Sequence, residues 1–216
     1  MNRPNLTIRR AIRADAATAA QVVATAFCDL DVCRWLIPDA IDRPTVLAGY
    51  FRIVVDHAIT HGTVETLTDK TAVAVWLPSS ASDIPGHDAT VAAVCGLWAP
   101  RFQALEAAMH QAHPTDRGPH EYLALLAVLP DHQNQGLGSA LLDNRHAALD
   151  AAGRPAYLEA SNSRSRGLYV RRGYVDCASP LNLPYDGEPV FPMWRAAQPT
   201  PREQGPHPMV LVDGAP

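Results

Sequence analysis

The chain has almost no lysine: Lys70 is the only one among 18 basic residues. Lysine Schiff-base chemistry and a phosphate-loop lysine are therefore all but excluded. No stretch approaches the ~18 consecutive apolar residues that mark a membrane-spanning helix. Met1–Arg13 carries basic residues with no apolar segment behind them, so no secretory leader is expected. Cys28, Cys33, Cys95 and Cys177 lack paired C-x-x-C spacing and read as reduced, mostly buried thiols. A cytoplasmic location is the expectation. The net charge of −4, without a basic stripe, speaks against nucleic-acid binding. His57 and His61 are helix-spaced, but no Glu follows His57 as a zinc-protease motif requires, and His110 and His113 have no partner set. No metal site is expected. Ser161 and Ser163 lie outside a G-x-S-x-G elbow.

What is present fits one compact domain over 1–197. A length of 216 residues with 47% hydrophobic content can bury a sizeable core. The Pro-rich, patternless stretch 198–216 reads as a poorly ordered tail. Leu6–Arg10 predicts a strand, and Asp15 a cap for the helix after it. A short helix is expected within Cys28–Pro44. Val46, Leu47, Tyr50, Phe51, Val54, Val55, Ala58 and Ile59 recur at helical spacing up to His61-Gly62. Val64–Leu67 and Thr71–Leu77 predict a hairpin turning at Thr68-Asp69-Lys70. Two helices, near 88–97 and 99–112, are expected in the irregular region Pro78–Pro119.

The most informative stretch is Leu123–Leu142, LALLAVLPDHQNQGLGSALL. An apolar strand reaches a Pro-Asp break, then a turn with Gly136 and Gly138, then a helix expected over Gln135–Ala152. Such a turn aims backbone N–H groups and the positive end of a helix dipole at one point, which suits a phosphate. Both glycines are expected to allow a close backbone approach that a Cβ would obstruct. The pattern is neither a P-loop nor a three-glycine dinucleotide fingerprint. Further strands are expected at Pro155–Ala160, Gly173–Ala178 and Val190–Arg195, with a short helix at Arg164–Arg172. The strand–helix–strand order around 121–160 requires a parallel right-handed crossover, whereas the 64–77 hairpin is antiparallel.

Gln133-Asn134-Gln135-Gly136-Leu137-Gly138 resembles the acetyl-CoA signature Arg/Gln-x-x-Gly-x-Gly/Ala of the GNAT N-acetyltransferases. About thirty residues on, YLEASNSRSRGLYVRRGY (157–174) resembles that family's next strand, loop and helix ending in Tyr-x-x-x-Gly-Phe/Tyr. Residues 73–78 and 120–142 are also similar to the puromycin-type acetyltransferases and their actinobacterial relatives. The resemblance runs from about residue 6 to 196. It implies an α/β (α+β) GNAT fold: a mixed, mostly antiparallel, twisted sheet of about seven strands flanked by helices, splayed between the fourth and fifth. It implies an acetyl-CoA-dependent N-acetyltransferase, without a metal, acting by direct attack of a small-molecule primary amine in a ternary complex. An antibiotic or related metabolite is the acceptor that the puromycin-type similarity suggests. A protein or peptide N-acetyltransferase, or a non-catalytic acyl-CoA-binding regulatory module, stands as the alternative. The partners are acetyl-CoA and the amine, with no nucleic acid and no membrane, in a monomer or homodimer.

The resemblance also implies roles for residues. Amides of Asn134, Gln135, Gly136, Leu137, Gly138 and Ser139 hold the pyrophosphate. Main-chain groups of Leu126, Ala127 and Val128 pair with the pantetheine arm, and an N–H at Val128 or Leu129 meets the thioester oxygen. Tyr169 is the candidate acid for the departing thiolate, or else fills an apolar face with Leu168 and Val170. Asn162 binds pantetheine or positions that tyrosine, or else caps a loop. Glu159 and Glu121 are the carboxylates open to a general-base role or to simple strand-edge charge, with His120 behind them. Arg171 and Arg172 approach the 3′-phosphate of CoA or are solvated helix-end cations. The 28–38 loop, with Asp29, Asp31 and Trp35, and the 79–118 region are the expected acceptor surfaces; Asp29 or Asp31 attracts a cationic amine there, or else both are solvated helix-end charges.

Overall fold

The computed structural model describes residues 7–199, so most of the expected tail at 198–216 lies outside the described residues. Its strands are β1 (Ile8–Arg10), β2 (Thr63–Leu67), β3 (Ala72–Pro78), β4 (Glu121–Val128), β5 (Ala156–Ala160), β6 (Val175–Asp176) and β7 (Phe191–Arg195). Its helices are α1 (Ala16–Phe27), α2 (Asp31–Leu36), α3 (Arg43–His61), α4 (His87–Cys95), α5 (Ala99–Ala112), α6 (Leu137–Ala151) and α7 (Ser163–Val170). The strands form one sheet in the order β1-β2-β3-β4-β5-β7-β6. Only β4 and β5 pair in parallel, across the α6 crossover, and every other pairing is antiparallel.

Helices cover both faces of the sheet. On one face α1 to α5 pack with Val73, Val75, Leu77, Leu125 and Ala127. On the other, α6 and α7 pack with Ala72, Ala74, Trp76, Leu123 and Leu158. This double cover explains why β3 reads as the unbroken apolar run AVAVWLP: alternate side chains are buried on opposite sides. In α3, Leu47, Phe51, Val55 and Ala58 recur at helical spacing and are all buried. Gly62 follows because a Cβ there would lie 2.1 Å from the Trp76 carbonyl oxygen. The chain passes too close to β3 for any side chain.

Asp15 departs from its expected role. Its carboxylate makes no side-chain cap bond to α1; it accepts from the Ile12 N–H at 3.0 Å and pairs with Arg9 at 2.7 and 2.8 Å. Asp15 does hold the position just before α1, but its backbone is helical (φ −85°, ψ −14°) because it ends a 3-10 turn over Arg13–Asp15, so its carboxylate reaches back to the start of that turn instead of forward to α1.

Two irregularities in β4 shape the site. Val75 pairs with Leu125 and Trp76 with Leu123, so Ala124 has no opposite residue and forms a β-bulge. The bulge re-phases the strand, so Leu123 and Leu126 face α6 while Leu125 and Ala127 face α1. Pairing with β5 stops at Leu123↔Leu158. Beyond that point β4 runs on to Val128 without its parallel neighbour, which is the splay expected between the fourth and fifth strands.

Candidate active site

The open edge of β4 can be resolved group by group. The Leu129 N–H donates to the Thr71 carbonyl at 2.9 Å. In an antiparallel ladder, bonded and non-bonded positions alternate. Ala127 and Leu125 therefore turn their main-chain groups to β3, and Leu126 and Val128 turn theirs to the splay. This corrects two expectations. Leu129 has no free N–H for a thioester oxygen, and Ala127 offers nothing to a third strand. Val128 is left with its N–H, because its carbonyl accepts from Gln133 Nε2 at 3.2 Å.

Beyond β4, Pro130–His132 makes one 3-10 turn, and both Asn134 (φ 61°) and Gly136 (φ 83°) are left-handed. Gly136 caps α6, so Leu137, Gly138 and Ser139 form the first helical turn, where N–H groups lack intrahelical partners. Gly136 serves through its φ; a Cβ there would touch nothing within 4 Å. Gly138 is different again. A Cβ on it would meet Val128 Cγ2 at 3.6 Å and Leu126 Cδ2 at 3.8 Å, which is ordinary contact. Neither glycine is required for clearance within the protein itself; the close approach expected of them is to the cofactor phosphate. Gln135 Nε2 donates to the Asp131 carbonyl at 3.2 Å, closing the turn. Arg164 of α7 donates to Asn134 Oδ1 at 2.7 Å, which brings a guanidinium to the loop. Sequence reading passed over Arg164, thirty residues from Asn134 along the chain; the fold brings α7 to the loop. Arg172 is occupied by Asp143 at 3.1 Å, and Arg171 is exposed. These open N–H groups, the left-handed turn and an adjacent cation fit an extended thioester cofactor with a phosphate end.

On the α1–α5 side of the sheet lies a cavity of about 1310 Å³, reaching from α3, α4 and α5 to Leu125, Glu159 and Ser161 at the splay. Glu159 points into it because Ala156, Leu158 and Ala160 take the α6 face of β5. Its Oε1 is enclosed and accepts no hydrogen bond from the described residues. Burial pushes the carboxyl up to about 7, against the opposing pull of the Tyr122 and Tyr157 hydroxyls. His120 lines the same cavity, with Nδ1 at 2.8 Å from the Gly118 carbonyl and Nε2 at 2.9 Å from His113 Nε2. Burial and that neighbour hold His113 down to about 4, so it is neutral at pH 7.

The other predicted carboxylates lie elsewhere. Glu121 sits on the α6 face, paired with Arg145 at 2.9 Å, and does not line the cavity. It begins β4 two residues before Leu123, so the pleat gives it the same face. Asp29 pairs with Arg34 at 3.1 Å on the surface. Asp31 accepts from the Glu188 N–H at 3.0 Å, and Trp35 stacks on Tyr185 with ring centroids 5.6 Å apart. None of these three lines the cavity: Asp31 and Trp35 tie down the segment before β7. Sequence reading missed Glu106, which does line it, with Tyr50 and His87 bonded to its Oε1.

Tyr169 is buried among Leu168, Tyr174 and the α6 side of the sheet, its ring edge-on to Tyr174 at 5.7 Å. Desolvation alone raises its phenol above the ordinary range, which keeps it protonated at neutral pH. Asn162 caps α7: its Oδ1 accepts from the Ser165 N–H at 2.8 Å.

Residues 98–176 match the family of the acetyltransferase (GNAT) domain. Among solved structures, a histone acetyltransferase HPA2 and related acetyltransferase from Corynebacterium glutamicum is 26% identical. Its TM-score is 0.67, over 90% of this chain and 98% of that one. Arylalkylamine N-acetyltransferase 2 of Aedes aegypti is 10% identical with a TM-score of 0.61, over 90% and 100%. The polyamine N-acetyltransferase of Drosophila melanogaster is 16% identical with a TM-score of 0.61, over 89% and 100%. The latter two are likenesses of fold alone. Splayed sheet, glycine turn and these matches together make the chain an acetyltransferase with the GNAT fold.

Proposed function

We propose that the protein moves the acetyl group of acetyl-CoA to the primary amine of a small molecule, within a ternary complex. The observation that carries this reading is Glu159: a carboxylate oxygen enclosed in the cavity wall, without a hydrogen-bond partner among the described residues, on a carboxyl pushed up to about 7. An alkylammonium must lose a proton before it can attack, and a base with a pKa near the working pH serves best. Glu159 accepts that proton. Acetyl-CoA supplies the activated thioester; the Leu126 and Val128 main chain, Asn134 to Ser139 and Arg164 hold it. The Val128 N–H faces the thioester oxygen as it gains charge, a contribution typically of about 3 kcal/mol. Tyr169 donates the proton that the departing thiolate needs, and Asn162 holds the start of its helix. The cavity favours a small acceptor over a protein. A puromycin-like antibiotic is one candidate acceptor on the resemblance of 73–78 and 120–142.

The test is to follow thiol release from acetyl-CoA with aminoglycosides, aminonucleosides, polyamines, amino acids and short peptides. Release that depends on a free small amine is the expected result. Release with peptides alone transfers the assignment to a protein acetyltransferase. Acetyl-CoA binding without release across the panel overturns the transfer reading in favour of an acyl-CoA-binding regulatory module.

A further inference from the structure

The cavity holds a second polar cluster that acetyl transfer at Glu159 leaves unused. Tyr50 of α3 donates its hydroxyl to Glu106 Oε1 of α5 at 2.8 Å. His87, at the start of α4, places Nε2 2.6 Å from the same oxygen. Three helices thus fix one carboxylate from two sides. Both donors converge on Oε1. Oε2 accepts no hydrogen bond from the described residues and is not enclosed, and the side chain keeps 22% exposure while lining the cavity. Glu106 is held rigidly by one oxygen and presents the other.

Glu106 shares the cavity with Glu159, and the two carboxylates come from different elements, helix α5 and strand β5. Asp83 and Asp88 add to the negative charge, against Arg154 as the lining guanidinium. The remaining wall is largely apolar, with Phe27, Phe51, Val54 and Leu125. A carboxylate oxygen only accepts, so its ligand must donate. A cationic nitrogen makes the stronger, charge-assisted bond. Two carboxylates lining one largely apolar cavity are complementary to two nitrogens joined by methylenes.

We infer that Glu106, fixed by Tyr50 and His87, is a subsite for a second cationic nitrogen of the acceptor, so that the preferred acceptors are diamines or oligoamines. The inference rests on the transfer reading above. One amine is acetylated at Glu159, and the distal ammonium is held at Glu106, where it sets specificity without entering the reaction.

The experiment compares α,ω-diaminoalkanes, from diaminobutane to diaminodecane, with monoalkylamines of matching length. Thiol release gives kcat/KM for each, and calorimetry with CoA present gives binding. At the best length the diamine should exceed its monoamine by about tenfold, chiefly through KM, the scale of one charge-assisted contact. Glu106→Gln should collapse that ratio towards one. Equal values for diamine and monoamine across the wild-type series overturn the inference without recourse to any variant. So does a ratio that Glu106→Gln leaves unchanged. If no amine is acetylated, the transfer reading fails separately. The subsite then stands only if the wild type binds the diamine more tightly than the monoamine and Glu106→Gln abolishes the difference; otherwise it falls as well.

Discussion

In the proposed reaction, Glu159 is a base held at the expense of the fold. Its carboxyl is pushed up to about 7 by burial, so the folded protein holds this proton over a range in which the unfolded chain, with an ordinary value of 4.5, has released it. Stability therefore falls as pH rises from about 4.5 to 7. Two outcomes follow for Glu159→Gln. The rate should drop by about 10²- to 10⁴-fold, and the rise of kcat/KM with an apparent pKa near 7 should disappear from the pH profile. The thermal midpoint at pH 8 should rise, because the buried charge is gone. A variant that loses activity and stability together would make Glu159 a structural residue. Tyr169→Phe separates the two roles of that side chain. An acid should cost about 10²-fold in kcat, whereas pure packing leaves turnover nearly unchanged. Tyr169, Asn162 and the turn at 133–138 are singled out by the resemblance of their motifs to the GNAT family. The cavity's own chemistry was less legible. Glu159 and Glu121 look alike in sequence, and the pleat of two strands decides which one faces the cavity. Asp29 and Asp31 invite an acceptor role because an acidic side chain attracts a cationic amine, but they are the surface charges that were the other reading, and Glu106 lines the cavity from a helix with no motif at all.

At the scale of elements, β4 and the turn after it carry the design. The bulge at Ala124 changes which side chains and amides reach the splay, and no composition rule announces a one-residue insertion in an apolar run. Helices and strands were legible nearly throughout because double cover of the sheet imposes strong patterns, as in α3 and β3. Boundaries moved by a few residues where single 3-10 turns intervene, at Arg13–Asp15 and Pro130–His132. The two glycines of the turn, alike in the motif, should respond with opposite sign. Gly136→Ala forces a Cβ into a left-handed residue and should cost about 1 kcal/mol, with weaker acetyl-CoA binding. Gly138→Ala places its methyl in contact distance of Val128 and Leu126 within a helix, where alanine is favoured by up to about 1 kcal/mol. Thermal midpoints should thus fall for the first and hold or rise for the second. Equal losses at both positions would mean that close approach, not backbone conformation, selects the second glycine.

For the whole molecule, the question is what keeps the two ends of the chain on one sheet. The far edge, β7 and β6, is tied to the α6 crossover by Arg195, whose guanidinium meets both oxygens of Asp150 at 2.7 Å. The pair is largely enclosed, with 5% and 16% side-chain exposure. Arg195 also donates to the Arg172 carbonyl at 3.1 Å, so one side chain joins the last strand, α6 and the end of α7. Burial works against ionisation of Asp150. The Arg195 guanidinium and the Gln198 N–H at 2.8 Å outweigh it and hold the carboxyl below its ordinary 3.8. Its folded value is depressed, so this contribution is fully present above about pH 4 and is lost as pH falls through the folded value. Asp150→Ala leaves a buried guanidinium unpaired and should cost about 3 kcal/mol, a fall of roughly 6–12 °C in the thermal midpoint at neutral pH. Because the pair binds β7 to α6 and touches neither cavity nor turn, kcat measured well below that midpoint should stay close to the wild-type value. At pH 3 the gap in midpoint between the two proteins should narrow, since the unfolded wild-type chain, with an ordinary carboxyl value of 3.8, then takes up a proton that the folded state, held lower, resists. A gap that stays constant from pH 7 to pH 3 would assign the loss to packing of the Asp150 side chain and not to its charge.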